Sequence, residues 1–147
     1  MVLRLTIEQS ANYTIQNIEQ GLKKEFHVTI TESIVDEFAK LSGDYNHLHM
    51  DEEYAKSVNF KGRVCHGMLI ASYLSRLIGM YLPGKNALYL TQSLKFVNPC
   101  YVNDVITITG EVISKSISTR IITVKTTIRN SSEKPLIEGE AKVLIRK

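Results

Sequence analysis

The ten-residue stretch SGDYNHLHMD, Ser42–Asp51, concentrates proton-active side chains in one short loop. Within it, Asp44 is followed five residues later by His49. A carboxylate and an imidazole directed at one small volume can hold a water molecule and move its proton, because histidine titrates near neutral pH. Aspartate, asparagine and glycine are also common turn formers, so a purely structural loop is the alternative. The chemistry that this loop indicates is acid–base catalysis.

A second informative stretch is VCHGML, which contains Gly67 at the start of a strongly apolar segment. A glycine in the first turn of a buried helix leaves a backbone N–H free, and the helix dipole adds positive potential there. A developing oxyanion needs this environment. The alternative is that Gly67 only permits close packing. Taken together, the two stretches predict acid–base chemistry beside a carbonyl group.

Two other kinds of site receive less support from the residues. His47 and His49 could share a face as metal ligands, but no third ligand is placed near them and HExxH is absent. Cys65 and His66 could form a nucleophilic pair, although adjacent residues rarely point at one another and buried cysteines are usually inert. We therefore expect no metal site and no cysteine nucleophile.

The elements that must position these residues follow from periodicity. Helical spacing and a capping threonine predict an amphipathic helix over residues 31–41, ended by Ser42-Gly43. A short helix is predicted over 51–57, and a mostly apolar, buried helix over 67–82. The pattern then changes to period two, and strands are predicted over 88–97, 102–113, 118–129 and 136–146. This order predicts an α+β fold in which an antiparallel sheet wraps around the central helix.

The composition limits the class of protein. A chain of 147 residues favours a single domain, and a net charge of +3 is too small and scattered to indicate nucleic acid as a partner. The two cysteines form no CxxC and no basic-then-apolar leader is visible, which favours a reducing, cytoplasmic compartment. The apolar segment Met68–Leu82 contains Arg76 and is too short to span a bilayer, so we expect no membrane insertion.

The segments FAKLSGDYNHLHMD and VCHGMLIASYLSRLIG, followed by LPGKNALYLTQSLKFVNPCYVNDVITITGEV, resemble the (R)-specific enoyl-CoA hydratases, the MaoC-like dehydratases of the hot-dog superfamily. The resemblance covers residues 14–147 and leaves residues 1–13 as an N-terminal extension, an arm or an extra strand. The family loop reads SGD-x-N-P-[LIV]-H, and His47 stands here in place of the proline. The resemblance implies one hot-dog domain over residues 1–147.

The resemblance also implies roles for individual residues. Asp44 and His49 would form the catalytic dyad, and Asn46 would support its geometry. The backbone N–H of Gly67 would bind the thioester oxygen. The implied reaction is reversible syn addition of water to a trans-2-enoyl thioester, which gives the (R)-3-hydroxyacyl thioester. Neither a metal nor a redox cofactor would be needed.

For the substrate and the assembly, the resemblance implies a thioester of coenzyme A or of acyl carrier protein. Ser75 would lie close to the dyad, and Ile78 would help to line the acyl pocket. The protein would be a homodimer with the acyl tunnel at the subunit interface. Pairing across a two-fold axis would also cover the long edge strands of such a sheet.

Two further functions remain open on this fold. A thioesterase would use a carboxylate to activate water against the carbonyl carbon. A non-catalytic subunit would only bind acyl thioesters and would not need both Asp44 and His49. The SGD-x-N-x-L-H pattern favours the hydratase.

Overall fold

The computed structural model describes residues 9–147, so most of the N-terminal extension lies outside the described residues. The described strands form one antiparallel sheet of six strands in the order β1-β4-β5-β6-β2, with the short β3 also paired to β6. The strands are β1 (Lys23–Thr29), β2 (Ala87–Gln92), β3 (Lys95–Phe96), β4 (Val105–Ser116), β5 (Ile121–Arg129) and β6 (Pro135–Ile145). The three long strands predicted near the C-terminus are thus present as β4, β5 and β6.

The helices precede the main part of the sheet in sequence. They are α1 (Glu32–Ser42), α2 (His47–Met50), α3 (Glu52–Ser57) and α4 (Gly67–Arg76), and α4 continues into a π-helical turn, Leu77–Tyr81. The predictions for residues 31–41, 51–57 and 67–82 are therefore confirmed. Thr31 caps α1 by accepting from the N–H of Ile34 at 3.2 Å, and Gly43 ends it in the left-handed conformation, with φ of 79°.

The sheet curves around α4 and its π-helical turn, and the apolar residues of both fill the core. The first part of the helix packs against β1, β4 and β5 in one buried cluster that includes Leu74 and Ile108. The π-helical turn packs in a second cluster that includes Ile78 and Val143. Gly110 on β4 permits this approach, because a Cβ atom there would lie 2.8 Å from Cδ2 of Leu77. The mostly apolar sequence of the helix is explained by this central burial.

The sheet differs from the sequence prediction in several details. Strand β5 begins at Ile121 rather than at 118, because Arg120 adopts a left-handed turn conformation with φ of 59°. Strand β1 was not predicted, because its sequence KKEFHVT buries only Phe26 and shows a weak alternation on an edge strand. The predicted strand 88–97 is interrupted at Ser93, whose backbone carbonyl lies against Gly139 of β6. Strand β4 begins at Val105 rather than at 102, because Asn103 adopts a left-handed turn conformation with φ of 72°.

The described part of the N-terminal extension packs against the end of the central helix. The N–H of Ala11 donates to the carbonyl of Met80 at 2.8 Å, and Asn12 forms a β-bridge with Gly84. The side chain of Asn86 donates to Asn12 Oδ1 at 2.8 Å. Among the described residues, no helix is both long and apolar enough to cross a membrane.

Candidate active site

The loop after α1 contains one helical turn, α2, which folds Asp44 and His49 towards each other. Asn46 caps this turn, since its Oδ1 accepts from the N–H of Leu48 at 3.0 Å. Its own N–H donates to Asp44 Oδ1 at 3.1 Å, and its carbonyl accepts from the N–H of His49 at 2.9 Å. Asn46 is therefore hydrogen-bonded to both members of the predicted dyad. The polar sequence of the loop satisfies the ends of this short helix.

The side chains of Asp44 and His49 face each other, with Oδ2 of Asp44 3.8 Å from Nε2 of His49. The other ring nitrogen, Nδ1, donates to the carbonyl of Val64 at 2.7 Å, because a carbonyl oxygen can only accept. Nε2 of the neutral ring consequently carries the lone pair. Both facing atoms are acceptors, and 3.8 Å is too long for a direct hydrogen bond. One water molecule between them can donate a hydrogen bond to each.

His66 was considered in the sequence only as a partner for Cys65, and the structure places it against the dyad. Its Nε2–H donates to the backbone carbonyl of Asp44 at 2.9 Å. Its ring stacks on that of His49, with centroids 4.0 Å apart. Burial lowers the pKa of His66, so the ring stays neutral beside His49. Among the described residues, its buried Nδ1 has no hydrogen-bond partner.

Arg63 is a second site residue that sequence reasoning did not identify. Its guanidinium donates to Glu32 Oε1 at 2.9 Å and to Asp36 Oδ1 at 2.6 Å, both on α1. Its Nε donates to the backbone carbonyl of His49 at 2.6 Å. The side chain is buried except for 9% of its surface. Arg63 therefore fixes the backbone of His49 to α1 with three charge-assisted hydrogen bonds.

The three side chains of Asp44, His49 and His66 each place a possible metal-ligand atom within 4.8 Å of the others. The sequence indicated no third metal ligand beside the loop, and in the structure His66 stands where a third ligand could be. One nitrogen of each imidazole already donates to a carbonyl, at Asp44 and at Val64. His47 does not join this group, since it is exposed and its ring lies 5.5 Å from that of Tyr54. The absence of a metal stays a prediction.

A pocket of about 360 Å³ opens beside His49. Its walls are mainly apolar and include Val64, Ile70 and Phe96, and Gly67 also lines it. Gly67 is the first residue of α4, and no acceptor for its N–H occurs among the described residues. A Cβ atom at Gly67 would lie 2.7 Å from Cε1 of Phe96. Both expectations for this glycine therefore apply together: its N–H is free, and it is closely packed.

The two other predicted site residues lie elsewhere on the central helix. Ser75 is exposed, and Ile78 is 1% exposed within the second core cluster. Neither Ser75 nor Ile78 is among the described residues that line the 360 Å³ pocket. The single chain thus brings together Asp44, Asn46, His49 and Gly67 but not Ser75 and Ile78, whose roles stay predictions.

The buried cysteines also line the pocket, and both are free thiols. The N–H of Cys65 donates to the carbonyl of Cys100 at 2.7 Å. The side-chain hydrogen bond that the Cys100 thiol donates to Cys65, together with burial, raises the pKa of Cys100, so that this thiol stays protonated. No hydrogen bond joins Cys65 to His66 among the described residues, and Nε2 of His66 is bonded to Asp44. In this geometry His66 does not contact the Cys65 thiol through a hydrogen bond, and the absence of a cysteine nucleophile stays a prediction.

Comparison with known proteins gives consistent relationships. Residues 14–134 match the family model of the MaoC like domain. The (R)-specific enoyl-CoA hydratase of Rhodospirillum rubrum is 39% identical over 130 residues, which are 88% of this chain and 90% of that protein. The (R)-specific enoyl-CoA hydratase of Aeromonas caviae is 38% identical over 128 residues, 87% of this chain and 96% of the relative.

Solved structures agree with these relationships. The (R)-hydratase from A. caviae involved in PHA biosynthesis matches with a TM-score of 0.86 at 38% identity, covering 88% of this chain and 98% of that one. Unliganded R-hydratase PhaJ1 from Pseudomonas aeruginosa matches with a TM-score of 0.89 at 33% identity, covering 95% of this chain and 89% of that one. The predicted α+β hot-dog fold is thereby confirmed. By sequence and by fold, the chain belongs to the MaoC-like domain family.

Proposed function

We propose that this protein catalyses the reversible hydration of trans-2-enoyl thioesters to (R)-3-hydroxyacyl thioesters. The observation that carries the proposal is the pair of acceptor atoms, Asp44 Oδ2 and His49 Nε2, 3.8 Å apart beside a mainly apolar pocket. Its relatives named (R)-specific enoyl-CoA hydratase support the same activity. The matches cover 90% and 96% of those two relatives.

In the hydration direction, the dyad binds and activates the water. A water between Asp44 and His49 donates one hydrogen bond to each, which directs an oxygen lone pair away from the dyad. Nε2 of His49 or Oδ2 of Asp44 takes a proton as the oxygen attacks C3 of the enoyl group. Because Nδ1–H of His49 donates to the Val64 carbonyl, the ring is held in the tautomer that leaves Nε2 basic.

The charge that develops on the thioester oxygen requires a donor. The N–H of Gly67 is free at the start of α4, where the helix dipole is positive. It would stabilise the enolate formed after the attack on C3. The proton held by the dyad then returns to C2 from the same face, which makes the addition syn. No metal or redox cofactor takes part in this scheme.

Incubation with crotonyl-CoA tests the proposal against its alternatives. A hydratase removes the enoyl absorbance without releasing a thiol. A thioesterase releases free coenzyme A, and a binding subunit changes neither signal. The hydratase is favoured because both Asp44 and His49 face one water-sized gap, whereas a binding subunit needs no such pair. Thiol release at the rate of enoyl loss would establish hydrolysis instead.

The proposed assembly is a homodimer, with the acyl tunnel passing Ser75 and Ile78 at the interface. Strand β2 lies at one end of the strand order. Leu88 and Leu90 on β2, with 49% and 46% of their surfaces exposed, would be covered by a partner's edge. Exposed Ser75 would then face the tunnel. A cytoplasmic location belongs to the same proposal.

A further inference from the structure

A second, larger cleft of about 530 Å³ lies next to the candidate active site. Pro99 lines both this cleft and the 360 Å³ pocket. The β-bridge between Val64 and Tyr101 also connects them, since Val64 lines the pocket and Tyr101 lines the cleft. The cleft is therefore placed to receive the part of a substrate that extends away from the reacting carbonyl.

Two lysines in the walls of the cleft, Lys61 and Lys134, supply charge that the protein itself does not neutralise. Both are exposed, and neither has a carboxylate oxygen within 4.0 Å among the described residues. Nζ of Lys61 lies 6.0 Å from the centre of the Tyr101 ring. Lys134 ends a polar turn in which Ser131 and Ser132 also line the cleft and provide hydroxyl donors.

The other charged residues of the cleft already have partners. Glu52 accepts from the N–H of Arg63 at 3.0 Å and lies 3.4 Å from Lys56, and the backbone hydrogen bond lowers its pKa. Asp104 accepts from the N–H of Tyr101 at 2.9 Å. The guanidinium of Arg63 is bound by two carboxylates of α1. Asp104 keeps its negative charge, because a backbone N–H does not neutralise a carboxylate. Lys61 and Lys134 outnumber it, so the charge left for a ligand is positive.

We propose that this cleft binds the phosphate-bearing part of the thioester carrier through Lys61 and Lys134. Lysine ammonium groups bind phosphate oxygens as flexible point charges and need no rigid geometry. This inference rests on the proposed hydratase activity and assigns a site to the phosphate of its substrate. The phosphate can come from coenzyme A or from the phosphopantetheine arm of a carrier protein, which share this chemistry.

The test replaces both lysines by glutamine, which keeps a polar stem and removes the charge. Parent and Lys61→Gln/Lys134→Gln protein are assayed with crotonyl-CoA, crotonyl acyl carrier protein and crotonyl-pantetheine, which has no phosphate. Lys23→Gln, on the edge strand β1, is the matched control for loss of a lysine. The KM for the phosphate-bearing substrate should rise about tenfold in the double variant, and its preference over crotonyl-pantetheine should fall by the same factor.

The carrier is identified by which of the two phosphate-bearing substrates loses its advantage. The difference between parent and variant should also shrink as salt is raised, since exposed charges are screened. Equal losses with crotonyl-pantetheine, or a KM within twofold of the parent for both phosphate-bearing substrates, would overturn the inference. A parent that hydrates none of the three thioesters refutes the proposed activity instead. Calorimetric titration of coenzyme A and of unacylated holo carrier protein then still tests the cleft, and equal affinities in parent and variant refute it.

Discussion

Replacing Asp44 by asparagine separates chemistry from structure at the candidate site. Oδ1 of Asp44 accepts from the N–H of Asn46 at 3.1 Å, and the amide oxygen of the variant can keep this bond. The amide NH₂ then takes the place of Oδ2, 3.8 Å from Nε2 of His49. The variant therefore lacks the carboxylate acceptor, and it presents an N–H donor to Nε2 of His49 instead. A bridging water can no longer donate a hydrogen bond to both residue 44 and His49.

The magnitude follows from the exposure of the residue and from its role. About half of the Asp44 side chain, 51%, is exposed, so the substitution should change the free energy of unfolding by less than about 0.5 kcal/mol. That corresponds to a shift of about 2 °C in the melting temperature. Loss of a positioned acid or base lowers turnover by about 10²–10⁴-fold. This factor is equivalent to about 2.7–5.4 kcal/mol in the activation barrier.

The assay is the initial rate of enoyl absorbance loss with crotonyl-CoA, together with a thermal melt of the same preparation. Glu37→Gln is the control, because Glu37 is an exposed carboxylate of α1 that forms no ion pair among the described residues. We expect the control to keep most of its turnover. An Asp44→Asn variant with more than a tenth of the parent turnover and an unshifted melt would refute the assignment of Asp44.

Four further predictions follow from the same contacts. His49→Ala should lose turnover by about 10²–10⁴-fold in the absorbance assay, and turnover above a tenth of the parent would contradict its role. His47→Pro should keep activity and raise the free energy of unfolding by about 0.4–1 kcal/mol in denaturant melts. The reason is that His47 is the first residue of α2 and its N–H donates to no described acceptor. A loss of turnover as deep as that of His49→Ala would contradict this. Because burial lowers the pKa of His66, the unfolded state binds a proton at this residue before the folded state does. The parent should therefore lose stability as pH falls below 6.5, and His66→Gln should lose less stability between melts at pH 7.5 and at about pH 5.5. Equal losses of stability in the two proteins would refute this. Ile78→Phe should reduce hydration of longer enoyl chains more than of crotonyl-CoA, since overfilling a packed site costs about 1–3 kcal/mol, and equal loss at every chain length would refute its place in the tunnel.

The sequence was sufficient to predict the features that local patterns determine. The apolar run after Gly67 predicted the central helix, and the SGD-x-N-x-L-H pattern predicted which loop carries the candidate dyad. Strand β1 was missed because an edge strand with one buried side chain, Phe26, has little periodicity. Its place is determined by pairing with β4, where Phe26 lies opposite Ile108. Such long-range pairing has no signature within the segment itself.

The supporting residues of the site were missed for a related reason. His66 and Arg63 act through side chains that reach backbone carbonyls of the loop 14 to 22 residues earlier in the sequence, at His49 and Asp44. Only the folded chain brings these groups together. The adjacency of His66 to Gly67 was visible, but nothing in the sequence indicated which way its ring points. An isolated buried arginine is likewise recognisable only from the carboxylates around it.

The stereochemistry of hydration tests the central claim most directly. If the water is held between Asp44 and His49 and the proton returns from the same groups, both are delivered to one face of the double bond. Hydration of crotonyl-CoA in deuterium oxide should therefore place deuterium at C2 syn to the hydroxyl. The relatives named (R)-specific enoyl-CoA hydratase predict the (R) configuration at C3. A product with the (S) configuration, or with anti addition, would contradict the account.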